Sequence, residues 1–202
     1  MAKKSPIEAT LVDLLYQALE TEQGGIKVYQ TAITCAVNKD LREEWKEYLE
    51  ETRTHEKVLL NVFKEFGLDP DARPPSRDIV GGIGDALVAS MEKAKATVTP
   101  EQAELVACEA VVLAETKDHT NWELLAFVVE KGSHEHRAVL KAAVEAVEDD
   151  EDHHLYHTKG WCRESWIKAL GFPAVLPPPE EVKKVETAIG AARAEQTRDD
   201  ML

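Results

Sequence analysis

The chain has 202 residues, 31% of them charged, and a formal net charge of -14. That length supports one domain whose core needs no disulfide staples, and the acidity excludes the basic patch that binding to nucleic acid or an anionic membrane requires. No run of about 18 apolar residues exists to cross a bilayer, and Met-Ala-Lys-Lys-Ser-Pro leads straight into an amphipathic pattern, so a cytoplasmic protein is expected.

Ser5-Pro6-Ile7-Glu8 reads as a capping box with proline at the first helical position and predicts a helix over about 6–37. Its apolar stripe (Ile7, Leu11, Leu15, Leu19, Ile26, Tyr29, Ile33) is interrupted by one acid, Glu22. The neighbouring Glu20 aligns with Asp13, Gln17 and Lys27 and is expected to face water. Gly24-Gly25 weakens this helix by about 1 kcal/mol per glycine relative to alanine, a cost that close helix packing or ligand access beside Glu22 would justify. Asp40, with Glu43 three residues on, predicts the cap of a second helix over about 41–66. Its stripe of Leu41, Trp45, Tyr48, Thr52, His55, Leu59, Val62 and Phe66 turns His55 inward and leaves Glu51 at the edge of the same face. Prolines break the chain between 68 and 77. A crossover helix over about 78–97 then places Ile79, Ile83, Leu87 and Met91 on one side and carries no inward acid or histidine.

Thr99-Pro100-Glu101-Gln102 opens a long helix over about 100–131, stopped by Gly132. Its buried line is Leu105, Cys108, Val112, Glu115, His119, Trp122, Ala126 and Val129. Ser133 caps a last long helix over about 134–170, on which Leu140, Val144, Val147, Glu151, His154, Thr158 and Trp161 recur in helical steps. His134 and His136 begin it and read as exposed. Residues 172–202 form a proline-led, charged tail, either a short docking helix or a flexible end. The expectation is an all-α domain over 1–171: a four-helix bundle of two antiparallel hairpins joined by a helical crossover.

Glu151 and His154 stand three apart, so on a helix the carboxylate and imidazole project side by side from a stripe that should be buried. Glu22 and His55 lie nearly equidistant from the turn at Lys39, and Glu115 and Glu151 nearly equidistant from Gly132, so two hairpins bring these groups to one depth. The candidate metal ligands are therefore Glu22, Glu51, His55, Glu115, His119, Glu151 and His154. Inward carboxylates with imidazoles from facing helices are what a pair of divalent ions requires, and ligand type alone does not separate iron from manganese. A metal-free core would have to neutralise several carboxylates by shared protons or histidine pairing.

This arrangement resembles the ferritin-like di-iron carboxylate proteins, rubrerythrins and bacterioferritins among them, over roughly residues 7–170. In that family each hairpin gives one Glu from its first helix and a Glu-x-x-His from its second. The resemblance matches Glu22 and Glu115 to the single acids, Glu151 with His154 to the complete pair, and His55 to the remaining histidine. The family's Glu three before that histidine is Thr52 here, with Glu51 one position away, and His119 is an additional imidazole. The three cysteines, Cys35, Cys108 and Cys162, form no Cys-x-x-Cys, so the rubredoxin module is absent and electrons would come from an external donor. The resemblance implies a dinuclear centre reacting with dioxygen or hydrogen peroxide in a homodimeric protein of rubrerythrin-like oxidoreductase type. A ferroxidase of an iron-storage shell, an oxygenase acting on an organic substrate, and a metal-free helical interaction module are the alternatives.

Overall fold

The chain is all-helical: the computed structural model describes residues 6–132 and 135–202, and among them no strand occurs. α1 (Pro6–Cys35), α2 (Lys39–Glu65), α3 (Pro75–Thr97), α4 (Pro100–Lys131), α5 (Arg137–Glu145) and α6 (Glu148–Ala169) precede two tail helices, α7 (Pro179–Val182) and α8 (Ala188–Gln196). A 3₁₀ turn, Arg198–Met201, follows them. No helix among the described residues is long and apolar enough to cross a membrane. The expected caps at Ser5 and Ser133, and His134, lie outside the described residues.

α4 opens with the expected capping box, Thr99 accepting from the Gln102 backbone while the Gln102 side chain accepts from Thr99 N–H. The cap of α2 is Asn38 rather than Asp40: its side-chain oxygen accepts from the backbone of Asp40 and Leu41. Asp40 falls inside the first turn, where a negative charge suits the helix dipole.

Two apolar clusters define the topology. One joins Leu15 and Leu19 of α1, Leu59 and Phe63 of α2, Trp122 and Leu125 of α4, and Leu140 and Val144 of α5. The other joins Val28 and Ala32 of α1, Leu41 and Trp45 of α2, Cys108 and Val111 of α4, and Trp161 of α6. α1 thus runs from the first cluster to the second and α2 returns, while α4 runs from the second to the first and α5 and α6 return. α3, with Met91 in the second cluster, carries the chain from the end of α2 to the start of α4. Between the clusters, at one level, fall residue 22, residues 51–55, 115–118 and 151–154.

α1 packs against α2, α3 and α4, so its middle is enclosed on nearly every side. This overturns the expectation that Glu20 faces water. Glu20 is buried and accepts hydrogen bonds from Arg73 Nη1 and Arg77 Nε, both at 2.7 Å, and Arg77 is itself buried. The crossover helix is also rotated from its expected face: Arg77, Val80, Met91 and Ala94 are buried, whereas Ile79 and Ile83 are 68% and 54% exposed. Two features fix that rotation. A Cβ added to Gly84 would stand only 3.6 Å from the α-carbon of Gly24, so α1 and α3 approach through paired glycines. The buried Arg77–Glu20 ion pair then requires this face of α3 and no other, because separating it would leave an uncompensated charge.

The single helix expected over 134–170 is divided. α5 ends at Glu145, Val147 adopts φ -128 and ψ -26, and α6 begins at Glu148. The run Glu148-Asp149-Asp150-Glu151 explains the break. Inside one helix these charges would repel, whereas in the first turn of a new helix they meet free backbone N–H groups and the positive end of the dipole.

The tail docks on α6. Glu164, fully buried, accepts from Val175 N and from Arg198 Nε, and Arg163 forms a two-pronged pair with Glu180 at 2.7 and 2.9 Å. Gly160 makes room for it: an added Cβ would lie 2.5 Å from Glu180 Oε2 and 2.9 Å from Pro178 Cβ. Overpacking of this kind costs about 1–3 kcal/mol. Gly160→Ala is therefore expected to raise proteolytic cleavage within the tail by about tenfold or more while the long helices stay protected, as timed digestion with mass analysis would show.

Candidate metal centre

Each helix contributes to the layer through its own register. Glu22 comes from the centre of α1, Glu51 and His55 from consecutive turns of α2, Glu115 and Asp118 from α4, and Asp150, Glu151 and His154 from the first two turns of α6. Glu22, His55, Glu115, Asp118, Glu151 and His154 are all less than 5% exposed. Two groupings could hold a cation. His55, Glu151 and His154 each offer an atom within 4.8 Å of the others, as do Glu22, Asp118 and Glu151. Glu151 belongs to both.

The imidazoles are held by their outer nitrogens. His55 Nε2 lies 3.1 Å from Asp150 Oδ2 and His154 Nε2 lies 2.8 Å from Glu51 Oε2, which assigns the proton of each ring to Nε2. Nδ1 of each ring then faces inward. His55 Nδ1 approaches Glu151 Oε1 to 3.0 Å and Glu22 Oε1 to 3.9 Å without a hydrogen-bond partner, and His154 Nδ1 lies 3.5 Å from Glu115 Oε2. Histidines that bind metals commonly show this carboxylate behind the ring. Glu51, expected as a ligand, instead stands behind His154 and is partly exposed.

Four carboxylates converge with little to neutralise them. Glu22 Oε2, Glu115 Oε2, Asp118 Oδ1 and both oxygens of Glu151 are buried with no hydrogen-bond partner among the described residues. Trp122 Nε1 donates to Glu22 Oε1 at 2.8 Å. Burial, then the charges of Asp118 and Glu151, push the Glu22 carboxyl well above its usual range. Burial, then Glu151 and Glu115, do the same to Asp118. Burial opposes protonation of His154, yet the Glu115 and Glu51 carboxylates hold it well above the ordinary histidine value. His55 is raised too, the Asp150 and Glu151 carboxylates outweighing its burial. Unpartnered oxygens and inward imidazole nitrogens facing one another fit divalent cations, which would displace the protons these groups otherwise hold: the groups supply ligand atoms and negative charge.

Asp118 and Asp150 escaped the sequence reading. The buried line of α4 runs Cys108, Val111, Glu115, Asp118, Trp122, Leu125, Val129; His119 is buried beside it as expected, whereas Val112 is only half-buried. Asp118 follows Glu115 by three, the same spacing as Glu151 and His154, and that spacing was the available signal. His119, one step round the helix, belongs to neither grouping: its Nε2 lies 2.8 Å from Asp152 Oδ1 at the margin of the layer. Thr52 occupies the place of the family's Glu. It packs toward Gly25, where an added Cβ would meet its methyl at 3.3 Å, so α1 and α2 are close at this level. The Tyr48 ring packs against His154, centroids 4.2 Å apart and tilted by 40°, and its hydroxyl donates to Glu44 Oε1 at 2.6 Å. Trp161 donates to the other oxygen of Glu44, whose carboxyl is pushed up to about 9 by burial and by the neighbouring Glu181. No protein-family model, curated protein or solved structure matches the chain.

Proposed function

We propose that this chain is a ferritin-like helical metalloprotein whose polar layer holds two divalent iron or manganese ions and reduces dioxygen or hydrogen peroxide with electrons from a separate donor. The observation that carries the reading is the set of buried, unpartnered ligand atoms on Glu22, His55, Glu115, Asp118 and Glu151. Four buried carboxylates also carry the charge that two divalent ions would balance. Two antiparallel hairpins joined by the long crossover α3 support the ferritin-like assignment.

Bound ions of this kind supply one-electron redox chemistry and open positions for an oxidant. The chain's residues do the rest. Asp150 and Glu51 fix the imidazole rings so that Nδ1 faces inward. Trp122 holds Glu22 by one oxygen and leaves the other free. The apolar clusters on either side exclude water and strengthen every charge interaction between them.

Anaerobic loading with Fe²⁺ followed by hydrogen peroxide or dioxygen tests the proposal. Absorbance is expected to report oxidation of two irons per peroxide, at least roughly tenfold faster than Fe²⁺ in the same buffer. Oxidation at the buffer rate would refute it. One observation favours an organic substrate as the second reading. A cleft of about 450 Å³, walled by Trp122, Phe127 and Tyr156 and rimmed by acids such as Glu123, Asp152 and Glu186, reaches the layer through Trp122, the residue that binds Glu22.

A further inference from the structure

The two cation groupings are chemically unlike. One combines two imidazoles with a carboxylate, His55, His154 and Glu151; the other, Glu22, Asp118 and Glu151, is all oxygen. Imidazole suits iron and the later divalent metals, whereas carboxylate-only sites suit the hard ions manganese and magnesium. Asp118 decides the difference. It projects from α4 one turn beyond Glu115, is 4% exposed, brings a carboxylate oxygen within 4.8 Å of one on Glu22 and one on Glu151, and leaves Oδ1 without a hydrogen-bond partner, as Glu22 Oε2 and both Glu151 oxygens are. Its nearest basic neighbour in sequence, Lys117, spends its hydrogen bond on Asn121 rather than on Asp118. His55, 3.0 Å from Glu151 Oε1 and 3.9 Å from Glu22 Oε1, is the closest basic group, and no hydrogen bond from a basic side chain reaches the free oxygens of the three carboxylates among the described residues.

We infer that Asp118 is a metal ligand and that the Glu22–Asp118–Glu151 position takes a hard divalent ion, manganese, while the His55–Glu151–His154 position takes iron, making the centre heterodinuclear. This rests on the reading of the layer as a metal centre. Glu151, with both oxygens free, would serve the two ions together. The alternative occupant of the oxygen position is protons shared among the three acids.

The test uses full-length protein stripped of metal, given one equivalent of Fe²⁺ and then one of Mn²⁺ without oxygen, desalted and measured for both elements. Anomalous scattering at the iron and manganese edges then places each ion in crystals. The wild type is expected to retain one of each, with iron beside the imidazoles. Asp118→Asn should keep its iron and lose manganese by at least about tenfold. This substitution preserves shape and removes a buried charge, and thermal unfolding of the chelated variant checks that it folds. Retention of both ions by Asp118→Asn, or manganese beside the imidazoles, overturns the inference and leaves the metal centre standing. A wild type that retains neither ion overturns both.

Discussion

Glu151→Ala is expected to empty the centre of both ions at once. Glu151 is the residue the two groupings share, and neither of its oxygens has a partner among the described residues. Without it, His55 and His154 remain on one side, with Glu115 reaching only His154, and Glu22 and Asp118 on the other, sets too sparse to hold an ion through desalting. Loss of a residue behind a ligand weakens metal binding by about 10–100-fold, so loss of the shared ligand should cost more than about a hundredfold at both positions. Glu51→Ala provides the contrast. It removes only the carboxylate behind His154, so affinity should fall within that smaller range and iron should be the ion affected. Equal losses in the two variants would show that the roles of Glu51 and Glu151 have been confused.

The second large effect is on stability, and its direction depends on pH. In chelated protein Glu22, Asp118 and His154 all have raised proton affinity in the fold. A raised folded value gives stability that is complete below the unfolded value and is lost as pH rises toward the folded one. Chelated protein should therefore lose stability progressively above about pH 4, where unfolded carboxyls begin to ionise. Cations reverse the sign, since they bind the deprotonated groups and bind more tightly as pH rises. An ion at about a thousandfold its dissociation constant adds about 4 kcal/mol, or about 8–16 °C in Tm for a chain of this size. Glu22→Gln, which keeps the Trp122 bond and removes a charge, should melt higher than wild type in chelator at pH 8 and gain far less from metal. Calorimetry at pH 6 and pH 8, with and without metal, reads all four corners. A wild type whose Tm does not respond to metal would contradict this coupling.

The long helices were legible because their caps and apolar periods agree, as at Thr99-Pro100 and along Leu41, Trp45, Tyr48, Thr52 and His55. Single-helix periodicity carries no knowledge of what packs on the other side. Glu20 looked exposed because α1 was given one buried face, whereas α3 covers a second and brings Arg77 with it. The same limit placed Ile79 and Ile83 on the wrong side of α3, whose rotation is set by the Gly24–Gly84 approach. Within the site, Glu22, His55, Glu115, Glu151 and His154 were visible as polar interruptions of apolar lines. Asp118 and His119 are adjacent and both buried, and a choice between steps of three and four decides which one meets Glu22 and Glu151. The break before α6 was concealed by a stripe that continues in register through Val144, Val147 and Glu151, although the acidic run beside it was a legible helix start.

The most direct measurement is the metal content and anomalous scattering of full-length protein purified without chelator. Two density peaks are expected within the layer, both reached by Glu151, one lying toward His55 and His154 and the other toward Glu22 and Asp118. A protein that folds and carries no ion there after incubation with Fe²⁺ and Mn²⁺ would contradict that expectation, and the buried acids would then be holding protons instead.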